Sequence, residues 1–230
     1  MNSKAIMTLT RELLDGTTFA ELVNVVEGGP HWTQEELDRS MNDTLEHRTS
    51  GEPVWLFAYG SLIWNPVIEF EEHQTAMLLD WHRSFCIRLL AGRGTPQLPG
   101  RMLGLLPGGE CGGVALRLSE HNLRDELRLV WMREMIHGLY RPIWAKVRLS
   151  TGEFVRAITF VANTASNQYE HDPATHSAAA AIARACGSLG TNREYLSKLN
   201  QALDALGMQD KYVTQMAAVV DACSSDGEIA

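Results

Sequence analysis

The chain has 230 residues, and its 45% hydrophobic content is enough for a sizeable core and excludes a globally disordered protein. Its formal net charge is −8 at pH 7, with no block of lysine and arginine, which argues against a nucleic-acid-binding protein. No stretch approaches the roughly 20 apolar residues that a membrane span requires, so no membrane association is predicted.

The N-terminus and the cysteines indicate the same compartment. The opening residues, MNSKAIMTLTRELLDG, lack the long apolar core and the small cleavage residues of a secretory signal. The cysteines Cys86, Cys111, Cys186 and Cys223 lie far apart and form no CxxC motif. Because disulfides are rare in cytosolic chains, we interpret them as reduced thiols of a cytoplasmic protein.

Residues 1–50 are predicted to form an amphipathic helical extension. In TQEELDRSMNDTLEH, Thr33 precedes Glu36 by three positions, which is the spacing of a capping box at a helix start. The segment RTSGEP then ends the helix. The rest of the chain, residues 51–230, is predicted to be a single domain that includes the C-terminal helices.

From Pro53 to Phe160 the chain consists of short apolar runs that are typical of β-strands. The runs are VWLFAY, TAMLLD, SFCIRLL, RMLGLLP, GVALRLS, IWAKVRLS and FVRAITFVA. Glycine and proline mark AGRGTPQLPGR and PGGECGG as loops. One helix is predicted among the strands, in EHNLRDELRLVWMREMIHG, with Ser119 as its N-cap.

Beyond ANTASNQYEHDPA the pattern is helical to the end, in THSAAAAIARACGSLG, NREYLSKLNQALDALG and DKYVTQMAAVVDACS. Many strands, one inserted helix and helices segregated to the chain ends predict an α+β fold. The strands are too close together for βαβ units. A small, mostly antiparallel and partly closed β-barrel is therefore predicted, because closure avoids exposed strand edges.

The inserted helix carries a carboxylate where its pattern calls for an apolar residue. Leu123, Leu127 and Val130 form a stripe at helical spacing, and the next position of that stripe is Glu134. Burial would raise the pKa of this carboxyl and suit it to accept and return protons near neutral pH. The alternative is a structural glutamate at a helix end, paired with an arginine such as Arg133.

The segment LFAYGSLIWNP interrupts an apolar strand with Tyr59, Gly60 and Ser61. Glycine permits a positive φ, and such a turn can aim successive backbone N–H groups at one point to bind an anion. Tyr59 and Ser61 add two hydroxyls. The alternative is an ordinary bulge or turn with a buried tyrosine, and periodicity does not separate the two.

The turn and the helix belong to a longer series of motifs: WLFAYGSLIWNP, WHRSFCIR, GRGTPQLPGRMLGLLPGG, GGVALRL, WMREMIHGLYRP and GTNREYL. In order and rough spacing this series resembles the ChaC family of glutathione-specific γ-glutamylcyclotransferases, within the γ-glutamylcyclotransferase-like superfamily. The resemblance covers about Pro53 to Met208. A YGS tripeptide alone is weak evidence, whereas the combination in one chain is specific.

The resemblance implies a reaction and a site. The family degrades glutathione, a small-molecule substrate, to 5-oxoproline and cysteinylglycine without a cofactor. Its catalytic glutamate falls on Glu134, and Tyr195 resembles a substrate-contacting tyrosine. A second acidic position of the family carries Asp125, where other members can have glutamate. The turn that holds the γ-glutamyl group falls on Phe57, Ala58, Tyr59, Gly60, Ser61 and Leu62.

Other residues allow a functional and a structural interpretation. Arg83 and Arg101 could pair with the glycine carboxylate of glutathione or with acidic residues of the protein itself. His171 and His176 are spaced loosely like metal ligands, but no cysteine or further histidine lies near them, so no metal site is predicted.

Two rival functions stay open at this point. One is a cyclotransferase for other γ-glutamyl amino acids or amines. The other is a non-catalytic protein that binds a γ-glutamyl ligand and regulates, for example, ion transport. The motifs favour the glutathione-specific enzyme over the regulator, because a pure binder has no need of a buried base.

Overall fold

Five strands close into a β-barrel in the computed structural model, which describes residues 9–15, 31–171 and 174–225. The strands are β1 (Trp55–Ala58), β2 (Glu72–Leu89), β3 (Gly100–Arg117), β4 (Tyr140–Leu149) and β5 (Phe154–Ala162), followed by the small hairpin β6 (Cys186–Gly187) and β7 (Gly190–Thr191). The helices are α1 (Arg11–Asp15), α2 (Gln34–Glu46), α3 (Leu123–Met135), α4 (Thr175–Arg184), α5 (Asn192–Ala205) and α6 (Lys211–Ser225).

The barrel has the strand order β1-β3-β2-β4-β5, and β5 closes it by pairing with β1. The β1–β5 pair is parallel, and the other four pairs are antiparallel. The predicted α+β fold with a mostly antiparallel barrel, an inserted helix and flanking helices is therefore confirmed. Within the described residues, no helix is both long enough and apolar enough to cross a bilayer.

Strands β2 and β3 are longer than the sequence predicted, because each joins two of the predicted strands into one of 18 residues. The prediction of a loop at PGGECGG is wrong, since these residues lie within β3. Asp80 has φ of 67°, and the pairing shifts register beside it, between Leu79 and Trp81. Gly108 and Gly109 of the facing strand also have positive φ. These glycines accommodate a β-bulge and do not reverse the chain.

The helix ends follow the sequence in one case and depart from it in the other. At α2 the capping box is confirmed: the Glu36 amide donates to Thr33 Oγ1, and the Thr33 amide donates to Glu36 Oε2. At α3 the prediction of Ser119 as N-cap is wrong, because Asn122 precedes the first helical residue. The chain is still extended at Leu118, whose amide donates to the Val54 carbonyl.

The apolar run of β1 is continuous because both of its faces are buried. Trp55 and Phe57 belong to one core cluster, and Leu56 and Ala58 belong to another, as expected for the alternating directions of strand side chains. The first cluster includes residues of α4, α5 and α6, and the second includes residues of α2 and α3. The barrel wall is thus packed between the C-terminal helices and the helices from earlier in the chain.

Helix α2 packs into the second of these clusters. Its residues Leu37 and Met41 are almost fully buried there, and the indole of Trp131 in α3 donates to Ser40 Oγ. A helix from the first 50 residues is thereby part of the same core as the barrel. The division into an extension over 1–50 and a domain over 51–230 stays a prediction.

A buried arginine links β1, β3 and the start of α6. The Arg83 side chain is only 1% exposed; it donates to the Tyr59 carbonyl (2.8 Å), to Asp210 Oδ2 (2.7 Å) and to the Gly112 carbonyl. Arg83 is therefore an internal ion-pair residue, as one of its two interpretations held. Arg101 likewise pairs with Glu170 at 2.7 Å.

Replacing Arg83 with methionine is expected to lower the free energy of unfolding by about 3–5 kcal/mol, because the charge of Asp210 and two carbonyls lose their buried partner. Urea denaturation measures the change. The exposed Arg184→Met is the matched control and should change the free energy by no more than about 0.5 kcal/mol. Equal losses in the two variants would contradict the structural role assigned to Arg83.

Candidate active site

A cavity of about 940 Å³ opens at one end of the barrel. Its walls come from the segments after β1 and β2, from the first residues of β3 and β4, from the end of α3 and from the start of α5. The end of β2 pairs with the start of β3 at Leu89 and Gly100, and the start of β4 pairs with the end of β5 at Tyr140 and Ala162. Because β1 runs parallel to β5, its end lies on the same side. The volume lies within the range of about 300–1,000 Å³ that is typical of small-molecule sites.

The predicted turn lies in this cavity. Tyr59 donates its hydroxyl to the Phe160 carbonyl at 2.7 Å, which fixes the turn to β5. The carbonyls of Gly60 and Ser61 accept hydrogen bonds from the amides of Ile63 and Asn65, so residues 60–65 form one helical turn. The amides of Gly60, Ser61 and Leu62 donate to no acceptor in the described part of the chain. Three backbone donors are therefore available at the start of this turn.

Gly60 matters for the space that it leaves and not for an unusual backbone angle. Its φ is not positive, in contrast to the expectation from the sequence. A Cβ at this position would lie 3.0 Å from the hydroxyl oxygen of Tyr195. The absence of a side chain therefore lets the tyrosine approach the turn directly.

Glu134 lies in the last turn of α3 and lines the same cavity. Its side chain retains 16% of its surface. No described residue donates a hydrogen bond to its carboxyl, and the nearest cation is Arg133, whose Nε lies 3.3 Å from Oε1. Burial raises the pKa of the Glu134 carboxyl, and the charge of Arg133 opposes that rise without cancelling it.

Glu126 lies two turns earlier on the same helix and has the opposite environment. Its side chain is fully buried, and it accepts hydrogen bonds from both Nη atoms of Arg11, from the Glu69 amide and from Asn122. Burial alone would raise its pKa, but these bonds outweigh burial and lower it. The two carboxyls of this helix have opposite pKa shifts, which indicates different roles. Glu126 is a structural anion that holds α1 and the Glu69 backbone to the helix, whereas Glu134 is free to exchange protons.

Arg133 connects the end of α3 to the turn after β1. Its guanidinium is 4% exposed and donates from Nη1 to the Asn65 carbonyl (2.6 Å) and from Nη2 to Ser61 Oγ (2.7 Å). The third nitrogen faces Glu134. Both interpretations from the sequence therefore hold at once: Glu134 pairs with Arg133, and it is also a desolvated carboxyl in a cavity with a raised pKa.

Three tyrosines surround this carboxyl. Burial raises the pKa values of Tyr59, Tyr140 and Tyr195, and the nearby charge of Glu134 raises them further, so their hydroxyls stay protonated. The hydroxyls of Tyr59 and Tyr140 donate to the carbonyls of Phe160 and Leu103. The Tyr195 hydroxyl makes no hydrogen bond to a described residue, so it is the one of these three that is free to meet a bound molecule.

The predicted site residues do not all reach the cavity. Those that line it are Phe57, Tyr59, Gly60, Ser61, Leu62, Glu134 and Tyr195. Ala58 does not, because its side chain is fully buried in the second core cluster. Asp125 is 73% exposed and pairs with Arg128, so it lies outside the site.

The histidines and cysteines add no chemistry to this cavity beyond His137. His137 lines it, and burial together with the charge of His31 lowers the pKa of its ring. Among the described residues, no group of three or more potential ligands could hold a metal ion, and His171 and His176 belong to none.

All four thiols are free, as predicted, and burial raises the pKa of Cys86 and of Cys111 to about 11, which makes both unreactive.

Several cavity residues were not predicted from the sequence. They are Trp64, Arg93, Arg133, Tyr140, Glu194 and Lys198. Two signals were available: Arg93 lies in the loop AGRGTPQLPGR, and Glu194 directly precedes Tyr195 in the motif GTNREYL.

Comparisons with known proteins identify relatives that match most of the chain. The family profile described as "ChaC-like protein" matches residues 54–223. The glutathione-specific gamma-glutamylcyclotransferase of Escherichia coli (strain K12) is 46% identical over 202 residues, which cover 88% of this chain and 87% of that protein. The human glutathione-specific gamma-glutamylcyclotransferase 1 is 30% identical over 184 residues, which cover 76% and 81% respectively.

A solved structure shares the fold. The crystal structure of a yeast gamma-glutamyl cyclotransferase specific to glutathione superposes with a TM-score of 0.69 and 20% identity. The superposition covers 75% of this chain and 97% of the yeast chain. At this identity the likeness concerns the fold alone.

The raised pKa of Glu134 makes a prediction about stability. The Glu134 carboxyl has a higher pKa in the folded protein than in the unfolded chain. Such a group destabilises the folded protein progressively as the pH rises from the unfolded pKa through the folded pKa. Relative to wild type, Glu134→Gln is therefore expected to gain stability as the pH rises above the ordinary glutamate pKa of about 4.3, as measured by urea denaturation at several pH values. Glu126→Gln is the control of opposite sign, and its window lies at lower pH. Because the Glu126 pKa is lowered, the wild type gains stability over this variant as the pH rises towards about 4.3 and keeps that gain at higher pH. Parallel curves for the two variants would contradict the assignment.

Proposed function

Because the chain belongs to the ChaC-like family, we propose that it is an enzyme that cleaves glutathione by cyclising the γ-glutamyl group, which gives 5-oxoproline and L-cysteinylglycine. The observation that carries the mechanism is the desolvated carboxyl of Glu134, in the same cavity as the unpaired backbone donors of the turn. The roles of individual residues below are part of this proposal.

The nucleophile of this reaction belongs to the substrate. In a γ-glutamyl peptide the α-amine can attack the γ-carbonyl carbon of the same residue. The new C–N bond closes a five-membered lactam, and the bond to the nitrogen of cysteinylglycine breaks. The protein must select the folded-back conformer, and good orientation of this kind is worth up to about 7–11 kcal/mol.

Glu134 transfers the proton. The α-amine is mostly an ammonium ion near neutral pH, so it gives one proton to solvent before it attacks and a second to the Glu134 carboxylate as the new C–N bond forms. The departing nitrogen must gain one proton before it leaves. A carboxyl of raised pKa is suited to both steps in sequence, first as a base and then as an acid. The reaction therefore returns Glu134 to its starting state without a cofactor.

The turn after β1 stabilises negative charge. The tetrahedral intermediate carries a negative oxygen, and the substrate carries an α-carboxylate. The amides of Gly60, Ser61 and Leu62 can donate to either group, and donors of this kind are worth most in a site from which water is excluded. The hydroxyl of Ser61 accepts from Arg133, which leaves its own proton free for the substrate. The unpaired hydroxyl of Tyr195 supports a substrate contact there.

Arg133 acts as a positioning residue. It holds Asn65 and Ser61 of the turn and Glu134 of α3 from a single planar guanidinium. The distance between the proton-transferring carboxyl and the oxyanion donors is thereby fixed by one buried group. Rigid placement of this kind is what a reaction between two parts of the same substrate requires.

The rival functions differ in what they would do with glutathione. A cyclotransferase for other γ-glutamyl amino acids or amines would form 5-oxoproline from those compounds at least as fast. A non-catalytic regulator would gain thermal stability from glutathione without forming product. The raised pKa of Glu134 supports the enzyme, because a binding protein has no use for a desolvated base.

The free thiols support a location in the cytoplasm. Cys86 and Cys111 are buried, whereas Cys186 is exposed, and none of them is in a disulfide. Free cysteines are typical of reducing compartments, which are also where glutathione is kept reduced.

The proposed function is tested with purified protein and glutathione, by measuring 5-oxoproline and cysteinylglycine. Glu134→Gln is expected to lower kcat by about 10²- to 10⁴-fold, because it keeps the shape of the side chain and removes its titratable group. The matched control is Asp125→Asn, an exposed carboxyl of the same helix, which should stay within about twofold of wild type. Wild-type turnover by Glu134→Gln at saturating glutathione would overturn the role of Glu134.

A further inference from the structure

A second group of charges lines the cavity, and the mechanism above does not use it. Arg93 comes from the loop between β2 and β3, and Glu194 and Lys198 come from the first two turns of α5. Glu194 lies between the two cations: its Oε1 is 2.7 Å from Lys198 Nζ, and its Oε2 is 3.4 Å from Arg93 Nη1. Two cations and one carboxylate leave one net positive charge in this group.

Both cations keep donors that no described residue uses. Arg93 donates only from Nη1, to the Thr191 carbonyl (2.8 Å) and to Glu194. Its Nε and Nη2 atoms contact no acceptor in the described part of the chain. Lys198 carries three N–H groups and contacts one carboxylate. A second carboxylate in the cavity could therefore accept charged hydrogen bonds from both Arg93 and Lys198.

Glu194 keeps the two cations in place without neutralising both. The hydrogen bond from Lys198 lowers the pKa of the Glu194 carboxyl against the effect of burial, and the charge of Arg93 lowers it further, so it stays ionised. Gly190 faces the same carboxylate and has φ of 99°, and a side chain there would have to displace Glu194. The local backbone is thus shaped around this group.

Tyr195 sets the distance from this group to the turn. Its hydroxyl lies beside Gly60, and the guanidinium carbon of Arg93 lies 5.9 Å from the centre of its ring. The turn and Arg93 are therefore separated by about the length of one aromatic side chain. In extended glutathione, the cysteinyl and glycyl residues that follow the γ-carbonyl span at most about 7 Å. With its γ-carbonyl at the turn, the glycine carboxylate would reach Arg93 and Lys198.

We propose that Arg93 and Lys198 bind the glycine carboxylate of glutathione and thereby distinguish glutathione from γ-glutamyl compounds that lack this carboxylate. The inference rests on the proposed function, because the turn must hold the γ-glutamyl end. The neutral donors of the turn then hold the γ-glutamyl end, and the two cations hold the glycine end. The anchor remote from the reacting carbonyl contributes binding that is similar in the ground state and the transition state, so its loss raises KM more than it lowers kcat.

The test compares two substrates in two proteins. One substrate is glutathione, and the other is glutathione monoethyl ester, in which the glycine carboxyl is an uncharged ester. The proteins are wild type and Arg93→Gln/Lys198→Met. We expect the wild type to use the ester with a kcat/KM about 10- to 100-fold below that of glutathione. The double variant should lose a similar factor on glutathione, mainly through KM, and almost nothing on the ester.

Two controls separate binding from structure. Arg184→Gln/Lys211→Met removes the same two charges from exposed positions outside the cavity and should leave both substrates unaffected. Among the described residues Lys198 pairs only with Glu194, and its side chain is 45% exposed. The single variant Lys198→Met should therefore fold even if loss of Arg93 disturbs its loop, and it should lose about 10-fold on glutathione and nothing on the ester.

Equal losses on glutathione and on the ester, in either cavity variant, would overturn the proposal and assign Arg93 and Lys198 a structural role. Equal use of both substrates by the wild type would overturn it as well. If the wild type forms no 5-oxoproline at all, the proposed function fails instead. The carboxylate site is then judged by calorimetric binding of the same two compounds, where equal affinities overturn it and weaker binding of the ester supports it.

Discussion

The desolvation of one carboxyl is the constraint on which the rest of the site depends. The Glu134 carboxyl accepts no hydrogen bond from a described residue. Arg133, the one cation close to it among those residues, divides its donors among three groups. Such a carboxyl is costly for a fold, because burial without hydrogen bonds disfavours its charged form. The barrel is arranged to tolerate that cost, since the end of α3 is held against the turn by the same arginine that partly offsets it.

The comparison of Glu134 with Glu126 shows how position determines chemistry within one helix. They are eight positions apart on α3, one buried and the other lining the cavity. Glu126 meets Arg11 and two further donors and becomes a fixed anion, whereas Glu134 meets a cavity. The pKa values therefore move in opposite directions for reasons that are local and geometric. Proteins accept destabilising groups of this kind where function requires them.

The sequence predicted the features that depend on local pattern. The barrel strands, the capping box at Thr33 and the place of Glu134 on an apolar stripe all follow from periodicity over a few residues. The features that it missed depend on contacts between distant segments. Arg133 bonds to Ser61, 72 positions away, and Glu126 is satisfied by Arg11, 115 positions away. The glycines of PGGECGG indicated a loop because a β-bulge and a loop use the same residues, and only the partner strand distinguishes them.

The most direct test of the desolvated carboxyl is titration of Glu134 itself. In ¹³C NMR spectra of protein labelled at the glutamate side-chain carboxyls, Glu134→Gln identifies the resonance by its absence. The resonance is expected to titrate clearly above the ordinary glutamate pKa of about 4.3, and to move higher still when the charge of Arg133 is removed by Arg133→Met. A Glu134 resonance that titrates at or below the ordinary value would contradict the central claim, whatever the identity of the family.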